Sequence, residues 1–363
     1  MEQNPEGNSK GYRTVLMARF SALGDVAMTI PVIYSVCRCY PGVRFVMVTR
    51  PAMTTMFVNR PDNLVTVGAD VKKDYEGVGG IRRLCSELVA AYRPDVFVDL
   101  HNVLRTKLMD LFMKLSGIPS ARIIKPRAKR RALTRKRNKV MLPLTSQRAR
   151  YREAFFQAGL PVSDCFDGLY HGRGSADPSL FAAITPPKQD GARWIGIAPF
   201  AAHAGKVYPS GQMEKVLEML QERADAGSDI RIFLFGGGDA EQRVLQDWAS
   251  RFPAAVSLAG KRYGFPAELA LINHLDVMLT MDSANMHLAA IAGAPTVSIW
   301  GATHPYCGFK GWRQTDDNTV QLPLSCRPCS VFGDKPCMRG DLLCLTAIRP
   351  ETVYNKIIQV FQT

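Results

Sequence analysis

Short apolar runs alternate with amphipathic stretches along this chain, and that alternation belongs to parallel sheets covered by helices on both faces. VLMARF is the first strand, and RFVMVTR, LVTVG, DVFVDL and ARIIK follow, with the helical stretches IRRLCSELVAAYR and RTKLMDLFMKLSG between them. Residues 25–40 are helical in pattern, with Pro31 either kinking the helix or restarting it behind Thr29. Across residues 162–192 the pattern dissolves into Gly, Pro, Asp and Ser, the composition of an interdomain crossing. A second series then begins, with strands WIGIAPF, IRIFLFGG, AVSLAG, DVMLTMD and PTVSIWG and helices near 211–225, 239–250, 265–273 and 284–292. At 363 residues the chain exceeds what one core usually serves. The expectation is therefore α/β, with two Rossmann-like domains facing across a cleft where ligands meet the carboxyl ends of the strands. The two series share architecture and no sequence repeat.

Bulk properties narrow the setting. The start, MEQNPEGNSKGYR, is polar, and Arg19 and Asp25 interrupt the most apolar early stretch, so neither a signal peptide nor a membrane span is expected. Nine cysteines, several within apolar patterns (Cys37, Cys39, Cys85), suit a reducing cytoplasm better than a disulfide framework. A formal charge of +14 calls for an anionic partner without distinguishing nucleic acid, phospholipid or phosphorylated glycan.

Four segments carry candidate chemistry at strand ends. Ser21-Ala22-Leu23-Gly24-Asp25 follows the first strand: Gly24 permits close backbone approach, and Asp25 can accept a hydroxyl proton or merely charge a helix start. Asp282-Ser283-Ala284-Asn285-Met286-His287 opens a helix with free N–H groups for a diphosphate and His287 one turn in; the bland alternative is a plain N-cap with a surface histidine. Ala198 to Lys206 is a small-residue loop whose single Lys206 suits a leaving diphosphate, or is incidental; it lacks the Gly-Lys-Ser/Thr of a P-loop. Phe235 to Glu241 places Glu241 for a ribose hydroxyl, while Gly237 and its neighbours equally explain a tight turn.

Two further clusters stand apart. Ten cations lie between Arg122 and Lys139, among them Arg127, Arg130 and Arg131, in the N-terminal half. Like charge at that density is expected to be mobile until an anion such as a lipid phosphate arrives, and without interleaved aromatics single-stranded nucleic acid is the weaker partner. Cys326-x2-Cys329-x7-Cys337-x6-Cys344 could form a structural zinc site, but the second spacing is unusual and reduced thiols are favoured.

Together the pieces resemble the glycosyltransferase family 9 heptosyltransferases. RFSALGDVAMTIPVIYSV looks like that family's N-terminal signature and LTMDSANMHLAAIAGAPTVSIWGATHP like its donor-binding signature. The resemblance implies a GT-B fold and inverting, metal-independent transfer of heptose or a related sugar from an ADP-sugar to a lipopolysaccharide inner-core acceptor, with no cofactor required. It makes Asp25 the general base and Lys206 the group stabilising the leaving diphosphate. Gly24, Gly237, Glu241, Asp282, Ser283, Ala284 and His287 would bind the donor. Arg105 and Lys107, after strand DVFVDL, would meet the anionic lipid-linked acceptor with Arg127, Arg130 and Arg131. It also implies a cytoplasmic enzyme peripheral at the inner face of the cytoplasmic membrane. The domains on this reading are 1–175 for the acceptor, 176–346 for the nucleotide sugar, and a helix over 347–363 packing back on the first domain. Two departures stand: the family commonly has Asp-Thr-Gly or Asp-Ser-Gly at 282–284, and Lys-Trp-Pro where this chain has Lys206-Val207-Tyr208-Pro209. The alternatives are a basic nucleic-acid-binding protein, betrayed by steeply salt-dependent duplex binding, and a GT-B nucleotide-sugar epimerase, which would carry paired acids.

Overall fold

The computed structural model describes residues 11–361. It divides into two units, the first running to Lys125 and resuming over Thr145–Asp167, the second comprising Pro126–Leu144 and everything from Gly168 on.

The first unit holds β1 (Thr14–Ala18), β2 (Arg44–Thr49), β3 (Leu64–Gly68), β4 (Val96–Asp99) and β5 (Ser120–Arg122) in the order β3-β2-β1-β4-β5. Every pairing is parallel. Strands buried on both faces read as continuous apolar runs, and β1 is buried at all five positions. Its core joins Leu16, Val46, Val48 and Phe97 to Ile81, Leu84 and Leu88 of the helix Gly77–Tyr92 and Met109 and Met113 of the helix Leu104–Leu115. Each such fully buried side chain contributes about 1.5–3 kcal/mol. The region around Pro31 is resolved as two helices, Leu23–Ala27 and Ile30–Cys39, with Thr29 in the cap position and the proline in the first turn, where its missing N–H costs nothing.

The second unit has β6 (Arg193–Ala198), β7 (Ile230–Leu234), β8 (Ala255–Ser257), β9 (Val277–Met281), β10 (Thr296–Ile299) and β11 (Thr319–Val320) in the order β11-β10-β9-β6-β7-β8, again all parallel. The helices Ser210–Asp225, Asp239–Arg251, Phe265–Asn273 and Ala284–Ala292 fall where periodicity places them. β11 has no counterpart among the sequence-derived strands; two residues are too few to show a period.

Two placements differ from the sequence reading. The terminal helix Pro350–Val360 belongs to the second unit: its Val353, Ile357 and Val360 enter that unit's core beside Val216, Leu217 and Leu220 of the helix Ser210–Asp225. The cationic stretch from Arg127 to Lys139 is likewise part of the second unit rather than of the N-terminal half, while Arg122 and Lys125 stay in the first. Arg127–Thr134 is helical with Leu133 wholly buried, Arg130 lies over the rings of Phe309 and Phe332, and the Lys139 ammonium donates to the carbonyls of Cys326 and Pro328. Apolar and carbonyl contacts thus fix a segment that charge density alone would leave loose.

Candidate active site

In each sheet the chain leaves the first strand toward one edge and returns to its other side, which puts a crevice at the carboxyl ends of two neighbouring strands. In the first unit those strands are β1 and β4. Asp25 sits in the five-residue helix just past β1, where buried Gly24 precedes it. Buried Arg19 holds it: the guanidinium donates to the carbonyls of Ser21 and Leu100 and contacts Asp25 Oδ2 at 2.8 Å. The Ala22 amide adds a 3.3 Å contact to the same oxygen, and the Tyr151 hydroxyl donates to the Asp25 carbonyl at 3.0 Å. These contacts fix the carboxylate through one oxygen and leave Oδ1 to an incoming donor, with the side chain 23% exposed.

From β4 comes a turn that sequence reasoning passed over. Asp99 Oδ1 accepts from the amides of His101 and Asn102 at 2.8 Å each, and burial pushes its carboxyl upward. This turn presents His101, whose Nε2 stands 3.4 Å from Ser21 Oγ. Burial first, then the charges of Arg19, Lys125 and Arg105, depress its imidazole to about 3, so it is neutral at working pH. A folded value below the unfolded 6.5 means the unfolded chain takes up the proton first. This stability is present above pH 6.5 and is lost as pH falls from 6.5 toward 3, at up to about 1.4 kcal/mol per pH unit. The drop in melting temperature between pH 7 and pH 5 is therefore expected to be smaller in His101→Gln than in the wild type; an equal drop would show that the ring does not carry this linkage.

In the second unit the neighbouring strands are β6 and β9. Lys206 ends a short 3₁₀ turn, Ala204–Lys206, beyond β6, and its ammonium meets Asp282 Oδ2 at 2.9 Å, with side-chain exposures of 16% and 4%. Thr303 Oγ1 donates to the same oxygen at 2.8 Å. The turn is pressed against its neighbours: a Cβ on Gly205 would stand 2.9 Å from Ala302 Cβ, and one on Gly333, whose φ is +78°, would stand 2.7 Å from Lys206 Cγ. Tyr208, two residues on, is buried with its hydroxyl donating to the Ile348 carbonyl at 2.8 Å.

Asp282 and Ser283 are not the plain cap that the bland reading supposed. Asp282 is engaged with Lys206 and Thr303, and the Ser283 hydroxyl lies 3.2 Å from Thr280 Oγ1 with no side-chain bond to the helix it precedes. The first amides of the helix Ala284–Ala292 therefore lack a side-chain cap, with Ala284 half-buried at their head and His287 buried one turn in. Glu241 turns back on its own loop, where Oε2 accepts from the Gly237 amide at 2.7 Å.

The cations assigned to an acceptor are divided between the units. Half-buried Arg105 and exposed Lys107 open the helix Leu104–Leu115 in the first unit, while Arg127 and Arg131 are exposed and Arg130 stacks on aromatic rings in the second. Lys136 and Lys139 of the same stretch line a cavity of about 740 Å³ with Arg327, Met141, Leu324 and Met338. Among the described residues no three His, Cys, Asp or Glu side chains gather as metal binding requires. Cys329 Sγ donates to the Cys326 carbonyl, and Cys344, in the core, is pushed up to about 11, chiefly by burial. No helix among the described residues is long and apolar enough to cross a membrane.

The pattern of glycosyltransferase family 9 (heptosyltransferase) matches residues 109–336. Lipopolysaccharide heptosyltransferase 3 of Escherichia coli is 30% identical over 133 residues, covering 36% of this chain and 36% of that protein. Lipooligosaccharide heptosyltransferase 2 of Campylobacter jejuni is 26% identical over 173 residues, covering 46% of this chain and 51% of that protein. The chain thus spans from about a third to a half of the length of these curated relatives. Among solved structures, a glycosyltransferase family 9 protein from Veillonella parvula aligns with a TM-score of 0.72 at 16% identity over 96% of this chain and 97% of that one. E. coli ADP-heptose lipopolysaccharide heptosyltransferase II gives 0.68 at 15% identity over 96% and 98%, and E. coli heptosyltransferase WaaC with ADP gives 0.64 at 17% over 96% and 99%. These likenesses show the fold, the GT-B architecture of such enzymes.

Proposed function

Because the chain belongs to glycosyltransferase family 9, the heptosyltransferases, we propose that it transfers heptose from ADP-heptose to an anionic, lipid-linked inner-core acceptor of lipopolysaccharide. The observation that carries the catalytic part of this reading is the Asp25 carboxylate, fixed through Oδ2 by buried Arg19 with Oδ1 uncommitted. Oδ1 takes the proton as the acceptor hydroxyl attacks the anomeric carbon; the carbon–oxygen bond to the diphosphate breaks as the new glycosidic bond forms, and the configuration inverts. Lys206 and the uncapped amides at Ser283–Ala284 meet the departing diphosphate. Lys206 is already 2.9 Å from Asp282, so it is placed before the ligand arrives, with ammonium protons left to share.

His287 and Glu241 complete the donor contacts on this reading, and the exposed Arg127 and Arg131 with Arg105 and Lys107 attract the acceptor's phosphates. The chemistry assigned to these groups asks for no cofactor. A lipid-linked acceptor would bring the enzyme to the cytoplasmic face of the inner membrane. Family membership disfavours both the nucleic-acid-binding and the epimerase readings.

A panel of nucleotide sugars tests the donor by thermal stabilisation. ADP-heptose at a hundredfold excess over its Kd is expected to stabilise the protein by about 2.7 kcal/mol. A panel in which no ADP-sugar raises the melting temperature would remove this reading.

A further inference from the structure

The helix Leu104–Leu115 is apolar on two opposite faces. Thr106, Met109, Asp110 and Met113 are buried, with the two methionines in the core of the first unit. At 3.6 residues per turn, Leu104, Leu111 and Leu115 fall in one narrow stripe on the other side, and they are 77%, 50% and 74% exposed. Leu108 lies beside that stripe, and Ile124, on the segment that follows β5, is also exposed. Isolated exposed leucines need no explanation, but three in register on one helix, facing away from the core, form a patch that calls for a partner.

Charge identifies the partner. Arg105, Lys107 and Lys114 border the stripe, and Arg122, half exposed, lies close to Asp110. The helix's single carboxylate, Asp110, is buried and already bonded to Ser120 and Lys114. A second copy of this chain packed on the stripe would set these cations against their own kind. An anionic bilayer accepts both features, with leucines entering the acyl boundary and cations at the phosphates.

We infer that the Leu104–Leu111–Leu115 face is a docking surface for anionic phospholipid, the helix lying in the plane of the interface. The stripe starts at Leu104, three residues after His101, which stands beside the Ser21–Asp25 loop. A membrane on this face would thus lie next to the proposed base, where a lipid-linked acceptor has to arrive; in that respect the inference rests on the function proposed above.

Co-sedimentation of the full chain with vesicles tests it. Wild-type protein is expected to partition onto phosphatidylethanolamine–phosphatidylglycerol vesicles and not onto phosphatidylcholine alone. The triple variant Leu104→Gln/Leu111→Gln/Leu115→Gln is expected to lose at least tenfold in partitioning, with unchanged circular dichroism and unchanged stabilisation by ADP-heptose. Equal partitioning of variant and wild type, or indifference to phosphatidylglycerol, would overturn it. So would a wild-type dimer that the triple substitution turns into monomer. Stabilisation by ADP-heptose is a separate readout, so failure on vesicles leaves the donor reading standing, and failure of the donor leaves the surface standing.

Discussion

Asp25→Asn is expected to bind ADP-heptose like the wild type and to lose transfer by about a thousandfold, the order that removal of a general base gives. The substitution keeps the shape of the side chain and removes the proton acceptor at Oδ1. It also leaves the buried Arg19 guanidinium, otherwise held by the Ser21 and Leu100 carbonyls and the Tyr151 ring, without its carboxylate. A stability loss of about 1–3 kcal/mol should therefore accompany the loss of rate. Assays are best run well below the variant's melting temperature, so that the two effects stay separate. Retained turnover at equal donor saturation would take Asp25 out of the chemistry and leave it as a partner of Arg19.

Lys206→Ala is expected to act on both binding and rate, lowering donor affinity and kcat together. The 2.9 Å contact with Asp282 is nearly dry. Removing the ammonium strands that carboxylate, at a cost of about 3–5 kcal/mol for a buried pair. Pairing the change with Asp282→Asn separates structure from chemistry. If the two residues only support one another, the double variant regains stability and binds donor as well as the wild type. If Lys206 holds the diphosphate, stability returns in the double variant and donor affinity does not. A single Lys206→Ala variant with unaltered affinity and rate would end the assignment of this turn.

Much of the architecture is legible in the residues because strands buried on both faces leave continuous apolar runs and their helices a 3.6-residue period. The restart behind Thr29 is readable from Pro31, since a proline tolerated in a first turn is not tolerated in a helix interior. Asp25, Lys206 and Asp282 are legible as strand-end polar residues. What escapes is what only tertiary contact decides. Nothing in the sequence pairs Arg19 with Asp25, brings Thr303 onto Asp282, or brings Gly333 onto Lys206 from a loop far along the chain. His101 had a usable signal, because it closes DVFVDL at the strand adjoining β1, yet sheet order is needed to know that adjacency. The cationic run misled in the opposite way: ten like charges conceal Leu133, the single apolar side chain of that helix to be buried, which ties the segment to the second unit.

Heptose transfer itself is the most direct measurement. Purified protein, ADP-heptose and lipopolysaccharide acceptor lacking its heptose are combined under single-turnover conditions, following ADP and glycosylated acceptor together. The account predicts that both appear in equal amounts with wild type and that Asp25→Asn forms them about a thousandfold more slowly. ADP-heptose left intact by the wild-type enzyme, or the same rate from the variant, would contradict it.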